Sequence, residues 1–150
     1  METSWRYDIW SLIRFLHVGA AVLWVGGQLT LSLVVRPVTS RLMSDDDRRR
    51  LVSALGSRFG RLAAVGLVPV LLASGLALTY HRGVTLAGFT VGGYGTTLGV
   101  KIGLALVSFA LAAVHGMSAV RSSARAVRWV GMIGSIVSLA VVALAVTLVP

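Results

Sequence analysis

Residues 15–35 read FLHVGAAVLWVGGQLTLSLVV, 21 residues with no acid, lysine or arginine, held between Arg14 and Arg36. A helix rises about 1.5 Å per residue, so about 20 apolar residues match a hydrocarbon core about 30 Å thick. Three more such intervals follow: 62–81 (20 residues, between Arg61 and Arg82), 102–120 (19, between Lys101 and Arg121) and 129–150 (22, after Arg128). The first run is longer than a signal-peptide core of about 7–15 residues. It also closes on Leu33-Val34-Val35-Arg36-Pro37 rather than on small residues, so it is expected to remain as a helix. The pattern predicts an all-α, four-helix transmembrane bundle in a single integral membrane domain. Its helices are expected at about 11–35, 59–82, 97–120 and 127–149.

Composition points the same way. Hydrophobic residues make up 56% and charged residues 13%, with a mean hydropathy of +0.85. A soluble domain carries about 25% charged residues. The net charge is nonetheless +9, from 14 Lys+Arg against 5 Asp+Glu. A nucleic-acid partner would need those bases on one soluble face, whereas here they fall between apolar runs. The expected partner is the lipid bilayer, with no nucleic acid. With no cysteine there is no disulfide, thiolate ligand or cysteine nucleophile. All five acids lie outside the apolar runs, which argues against a carboxylate proton relay. No nucleophile–base pattern and no phosphate-loop fingerprint is present.

The basic residues set the orientation. Arg36, Arg41, Arg48, Arg49, Arg50, Arg58 and Arg61 lie between the first and second spans, and Arg121, Arg125 and Arg128 between the third and fourth. That is 7 + 3 = 10, against four (Arg6, Arg14, Arg82 and Lys101) on the other side. The positive-inside rule puts the ten in the cytoplasm and both termini outside, in a multi-pass protein of the cell (plasma) membrane. Ser44 followed by Asp45, Asp46 and Asp47 reads as a helix start. Leu51, Leu55 and Phe59 then predict a short amphipathic helix, about 45–58, running into the second span. The outer link, with Gly88, Gly92, Gly93 and Gly95, is expected to be an irregular loop, with a threonine of the Thr96-Thr97 pair capping the third helix.

Polar groups inside a bilayer are costly and usually face the bundle interior. On the first helix, with His17 at zero, Trp24 falls at about −20°, Gln28 at about +20° and Arg14 at about +60°. Gly19, Gly26 and Gly27 flank that stripe. On the third helix Lys101, Ser108 and His115 recur every seven residues, with Ala105, Ala112 and Ala119 between them. The opposite face, with Ile102, Leu106 and Phe109, suits lipid. The second helix ends in Tyr80-His81-Arg82, with Ser74 one heptad below His81 and a kink expected at Pro69. The fourth carries Gly131, Gly134, Ser135 and Ser138 and reads as a packing helix, with Met132 its one soft ligand.

Depth divides these groups. His17, His81 and Lys101, with Arg14 and Arg82, are expected to converge near the outer surface. His115, about 21 Å below Lys101, belongs near the cytoplasmic end with Met117 and Met132. Two histidines on facing helices can hold a haem iron, with Arg or Lys on its propionates. Histidine and methionine together suit copper. Metal ligands are therefore sought among His17, His81, His115 and Met132, and cofactor-binding residues among His17, His81, Lys101, His115, Arg14 and Arg82. The bland alternatives are a headgroup-level His81, a Lys101 that snorkels outward, and histidines that only bond between helices.

Two stretches resemble a known family. Phe15-Leu16-His17-Val18-Gly19 through Trp24-Val25-Gly26-Gly27 is similar to the first helix of CopD-like (copper-resistance protein D) membrane proteins and of the related HemJ-type protoporphyrinogen oxidases. Arg58-Phe59-Gly60-Arg61 through Ser74-Gly75 to Tyr94-Gly95-Thr96-Thr97-Leu98-Gly99-Val100-Lys101 is similar to the CopD domain. The resemblance spans about residues 12–120. It implies a four-helix membrane unit with a role in copper homeostasis or transport in one branch, which is the leading expectation. In the other it implies haem b binding with porphyrin oxidation or electron transfer, for which a first-helix histidine and a third-helix lysine, here His17 and Lys101, are the associated residues. The expected cofactor is thus copper or haem b, in a protein that can form a homo-oligomer. A cofactor-free structural subunit is the third alternative.

Overall fold

The computed structural model describes residues 8–85, 87–90, 92–118 and 124–148, apart from the side chains of 115–118 and 124–128. Four helices are long and apolar enough to cross a membrane, and no strand occurs among the described residues. They are α1 (Ile9–Leu42), α2 (Asp45–His81), α3 (Tyr94–Ser118) and α4 (Ala124–Thr147). This is an all-α, multi-pass membrane protein. Its outward surface carries the apolar side chains, with Val65 82% and Leu76 73% exposed, while Ser108 and Ser138 are almost wholly buried. That polarity is the reverse of a soluble domain and requires lipid around it.

Local signals account for the helix ends. Asp8 caps α1, its carboxylate accepting the Trp10 N–H at 2.9 Å. Ser44 caps α2 by accepting the Asp47 N–H at 3.2 Å and donating to the Asp47 carboxylate at 2.7 Å. Asp45, Asp46 and Asp47 complement the positive end of the helix dipole, and Arg48 and Arg49 pair with Asp45 and Asp46. The amphipathic segment is continuous with the second span: α2 is one helix of 37 residues. At its other end the Gly83 N–H bonds the Tyr80 carbonyl and the Val84 N–H the Thr79 carbonyl, with Gly83 at φ 65°. This double closure needs a left-handed residue, which glycine adopts without strain.

Two departures from the sequence reading concern the long helices. The first helix does not end near residue 35 but continues to Leu42. Ahead of Pro69, where a kink is expected, the helix carries a π-helical turn, Ala63–Leu67, and a second one, Thr30–Val35, precedes Pro37. The Val68 N–H bonds back to the Ala63 carbonyl and the Arg36 N–H to the Leu31 carbonyl, five residues away in each case. Proline lacks a donor and its ring crowds the carbonyl four residues earlier. A widened turn just before it relieves that crowding and keeps the helix unbroken.

The helices pack as antiparallel neighbours. In α1 and α2, Gly27 lies against Phe59 near one end, and Trp10 meets His81 at the other. In α3 and α4, Ser108 faces Ser138 and Leu111 faces Gly134. The core of Ala20, Trp24, Val25, Ala63 and Leu67 lies mainly between α1 and α2. Phe109, expected toward lipid, instead packs on that core, edge-on to the Trp24 ring at 5.1 Å. Its ring adjoins Ser108 on the helix and is long enough to reach inward.

The outer loop folds onto α3. The helix starts at Tyr94, three residues earlier than expected, because Gly92 and Gly93 (φ 89° and 72°) make the turn. Thr96 is therefore not a cap: from inside the first turn it accepts the Gly92 N–H and donates to the Phe89 carbonyl. A Cβ at Gly95 would strike the Gly88 backbone carbonyl, which has no flexible side chain to yield. Gly95→Ala is expected to destabilise the protein by ~1–3 kcal/mol in detergent unfolding. Gly103→Ala, where the space is open, is expected to be neutral in the same assay.

Candidate functional site

The inward stripe of α1 meets two sets of polar partners at different depths. The outer set is built on His17. Its Nδ1 lies 2.9 Å from the Ser74 hydroxyl of α2. Ser74 has one hydroxyl hydrogen, and it goes to the Val70 carbonyl one turn back. The Ser74 oxygen is thus placed to accept from His17, and in the neutral ring this arrangement puts the proton on Nδ1 and leaves a lone pair on Nε2. An outer hydrogen bond of this kind orients a metal-binding imidazole and sets its tautomer. Gly75 makes the approach possible: a Cβ there would lie 3.2 Å from the His17 Cε1. Lys101 of α3 stands within electrostatic range of His17 and is half-buried. No carboxylate is present in the spans to neutralise it, so the region favours an anionic group.

The expected outer cluster separates into tiers. His81 stacks on Trp10, ring centroids 3.8 Å apart and 13° from parallel, about 10 Å above the His17 level because seven residues separate it from Ser74. Arg82 sits over the Tyr94 ring at 5.2 Å, tying α2 to the start of α3. Arg14 is exposed. His17 and Lys101 thus form the interior pair, and His81 and Arg82 are engaged with aromatic rings at the rim. Of the inner group, Met132 is exposed on α4, on a different face from the buried Ser135 and Ser138. The side chains of His115 and Met117 lie outside the described residues, as do Arg6, Arg121 and the side chains of Arg125 and Arg128. Among the described residues no three of His, Cys, Asp and Glu come together as a metal-binding group.

Below His17 runs a buried hydrogen-bond chain. The Trp24 Nε1–H donates to Ser108 at 3.3 Å, and Ser108 and Ser138 are 2.7 Å apart. Ser138 donates to the Gln28 Oε1 at 3.4 Å. The chain joins α1, α3 and α4, and Trp24 packs further on Phe59 and Phe109. Spacing within α1 brought Trp24 and Gln28 onto the His17 stripe. Spacing also set Ser74 one heptad below His81 and placed Ser138 on the fourth helix, but it did not say that they would meet His17 and Ser108.

Two outcomes test this geometry. The His17 ring nitrogen shifts, read by ¹⁵N NMR in micelles, are expected to show the Nδ1-protonated tautomer, and Ser74→Ala is expected to erase that preference. A double-mutant cycle on Ser108→Ala and Ser138→Ala is expected to return a coupling of ~0.6 kcal/mol, the average for interhelical bonds in membranes. A coupling of zero would mean the two hydroxyls do not bond.

Comparison with known proteins places the chain in a family by sequence. No family model matches it, and no solved structure does. It is 31% identical over 142 residues to an uncharacterized protein of Aquifex aeolicus (strain VF5), an alignment that covers 91% of this chain and 92% of the relative. The two chains match along nearly their whole lengths, and this protein belongs to the same family as that Aquifex aeolicus protein.

Proposed function

We propose that this protein is a haem b-binding membrane redox protein of the plasma membrane, acting in porphyrin oxidation or electron transfer as the resemblance to HemJ-type proteins implies. One observation carries the reading. The His17 Nδ1 is committed to Ser74, which leaves Nε2 for a metal, and a lysine stands in electrostatic range in a stretch free of carboxylates. A single imidazole beside a cation suits an iron bound in a dianionic macrocycle better than a bare copper ion, which a neighbouring ammonium repels. His17 would ligate the iron, Ser74 would hold the ring's orientation, Gly75 would leave room for it, and Lys101 would pair with a propionate. Haem, when bound, supplies a one-electron couple. The chain's residues would set its position and keep it in an apolar surround.

The test is an optical spectrum of protein expressed with ample haem and copper and purified in mild detergent. A Soret band that shifts on dithionite reduction is expected. His17→Ala is expected to lower haem occupancy at least tenfold and Lys101→Met several-fold, with His81→Ala close to wild type. Full occupancy in His17→Ala would overturn the assignment. Copper by elemental analysis without a Soret band would move the protein to the copper branch of the resemblance. The absence of both would leave a cofactor-free structural subunit.

A further inference from the structure

A second feature lies at the opposite end of the bundle from His17. Between α1 and α2, at the end that bears the arginine-rich link, is an open groove of about 380 Å³. Leu55, Phe59 and Leu62 of α2 form one side, and Thr30 and Leu31 of α1 the other. Thr30 and Leu31 belong to the π turn ahead of Pro37, so the widened backbone shapes the wall. The lining is mostly apolar, with Thr30 its neutral polar residue and Arg58 its one charged residue.

Depth and charge say what fits there. Leu62 opens the charge-free run of the second span, and Leu55 lies two turns nearer the link, so the groove starts at the membrane surface and runs into the hydrocarbon layer. Arg48 and Arg49 are matched by Asp45 and Asp46 of their own helix. Among the described residues no ion pair includes Arg58, which is exposed at the groove. A guanidinium offers a flat fork of donors that matches a phosphate. The charge bias places this end in the cytoplasm, and the cytoplasmic leaflet is the one rich in anionic lipid.

We propose that the groove seats an acyl chain of an anionic phospholipid of the cytoplasmic leaflet, with the lipid phosphate on Arg58. The mostly apolar walls take the chain, and the arginine favours a headgroup whose phosphate charge is not offset by a choline cation. The site is separate from His17 and does not depend on any cofactor, so its failure and that of the haem reading are distinguishable.

The experiment is native mass spectrometry of the full chain released from nanodiscs of phosphatidylglycerol or of phosphatidylcholine. Wild type is expected to keep one phosphatidylglycerol at activation energies that strip phosphatidylcholine. Arg58→Gln is expected to lower the retained fraction about fivefold, the worth of one basic residue near an anionic surface. Thr30→Phe, which fills the groove and keeps the charge, is expected to abolish retention. Arg50→Gln, on the same helix but outside the groove, is expected to leave it unchanged. Equal losses in Arg50→Gln and Arg58→Gln, undiminished retention in Thr30→Phe, or equal retention of both lipids would each overturn the proposal.

Discussion

Hydrocarbon offers no hydrogen-bond partner, so the polar groups within the spans turn to one another inside the protein, and among the described residues the Gln28 Nε2 is the buried side-chain atom left without a partner. Much of the arrangement follows from that constraint. The Trp24 N–H cannot be left on its own, and it reaches Ser108, which reaches Ser138, which reaches Gln28. Each bond is worth only about 1 kcal/mol or less, because the separated helices also find partners. Their value lies in direction: the chain selects one rotation of α1, α3 and α4, where apolar packing alone would accept several.

The same constraint explains the backbone irregularities. Pro37 and Pro69 each withdraw a donor from a helix that must remain satisfied along its whole length. The π turns before them absorb the steric conflict without breaking the helix. One of the turns also shapes the groove beside Arg58, so a local backbone adjustment becomes a feature of the surface. The other lies one turn below Ser74's own backbone acceptor, Val70, on the helix that holds His17 in place.

Site and scaffold therefore share parts. Glycines serve as approach points, with Gly27 under the Phe59 ring and Gly75 under the His17 ring. Serines serve as partners, one for His17 and two for the tryptophan chain. The ionisable groups sort by what surrounds them: Arg82 and His81 lie on aromatic rings at the rim, while His17 and Lys101 lie inward, where no carboxylate of the spans can neutralise them.

What the sequence determined by itself was what short-range physics controls. The four spans follow from the length of apolar run a bilayer demands, and the link ends from the bias of arginine. The start of α2 follows from Ser44 and its acids, and the shared stripe of His17, Trp24 and Gln28 from helical period. The tertiary structure decided which groups meet. His17 pairs with Ser74 across 57 positions, Trp24 with Ser108 across 84 and Gln28 with Ser138 across 110. His81 turns to Trp10, two turns from the His17 level, and Phe109 turns inward. Such pairings depend on the register and rotation of one helix against another. The period of a single helix says which residues share a face, but it carries no term for the neighbour that the face will meet.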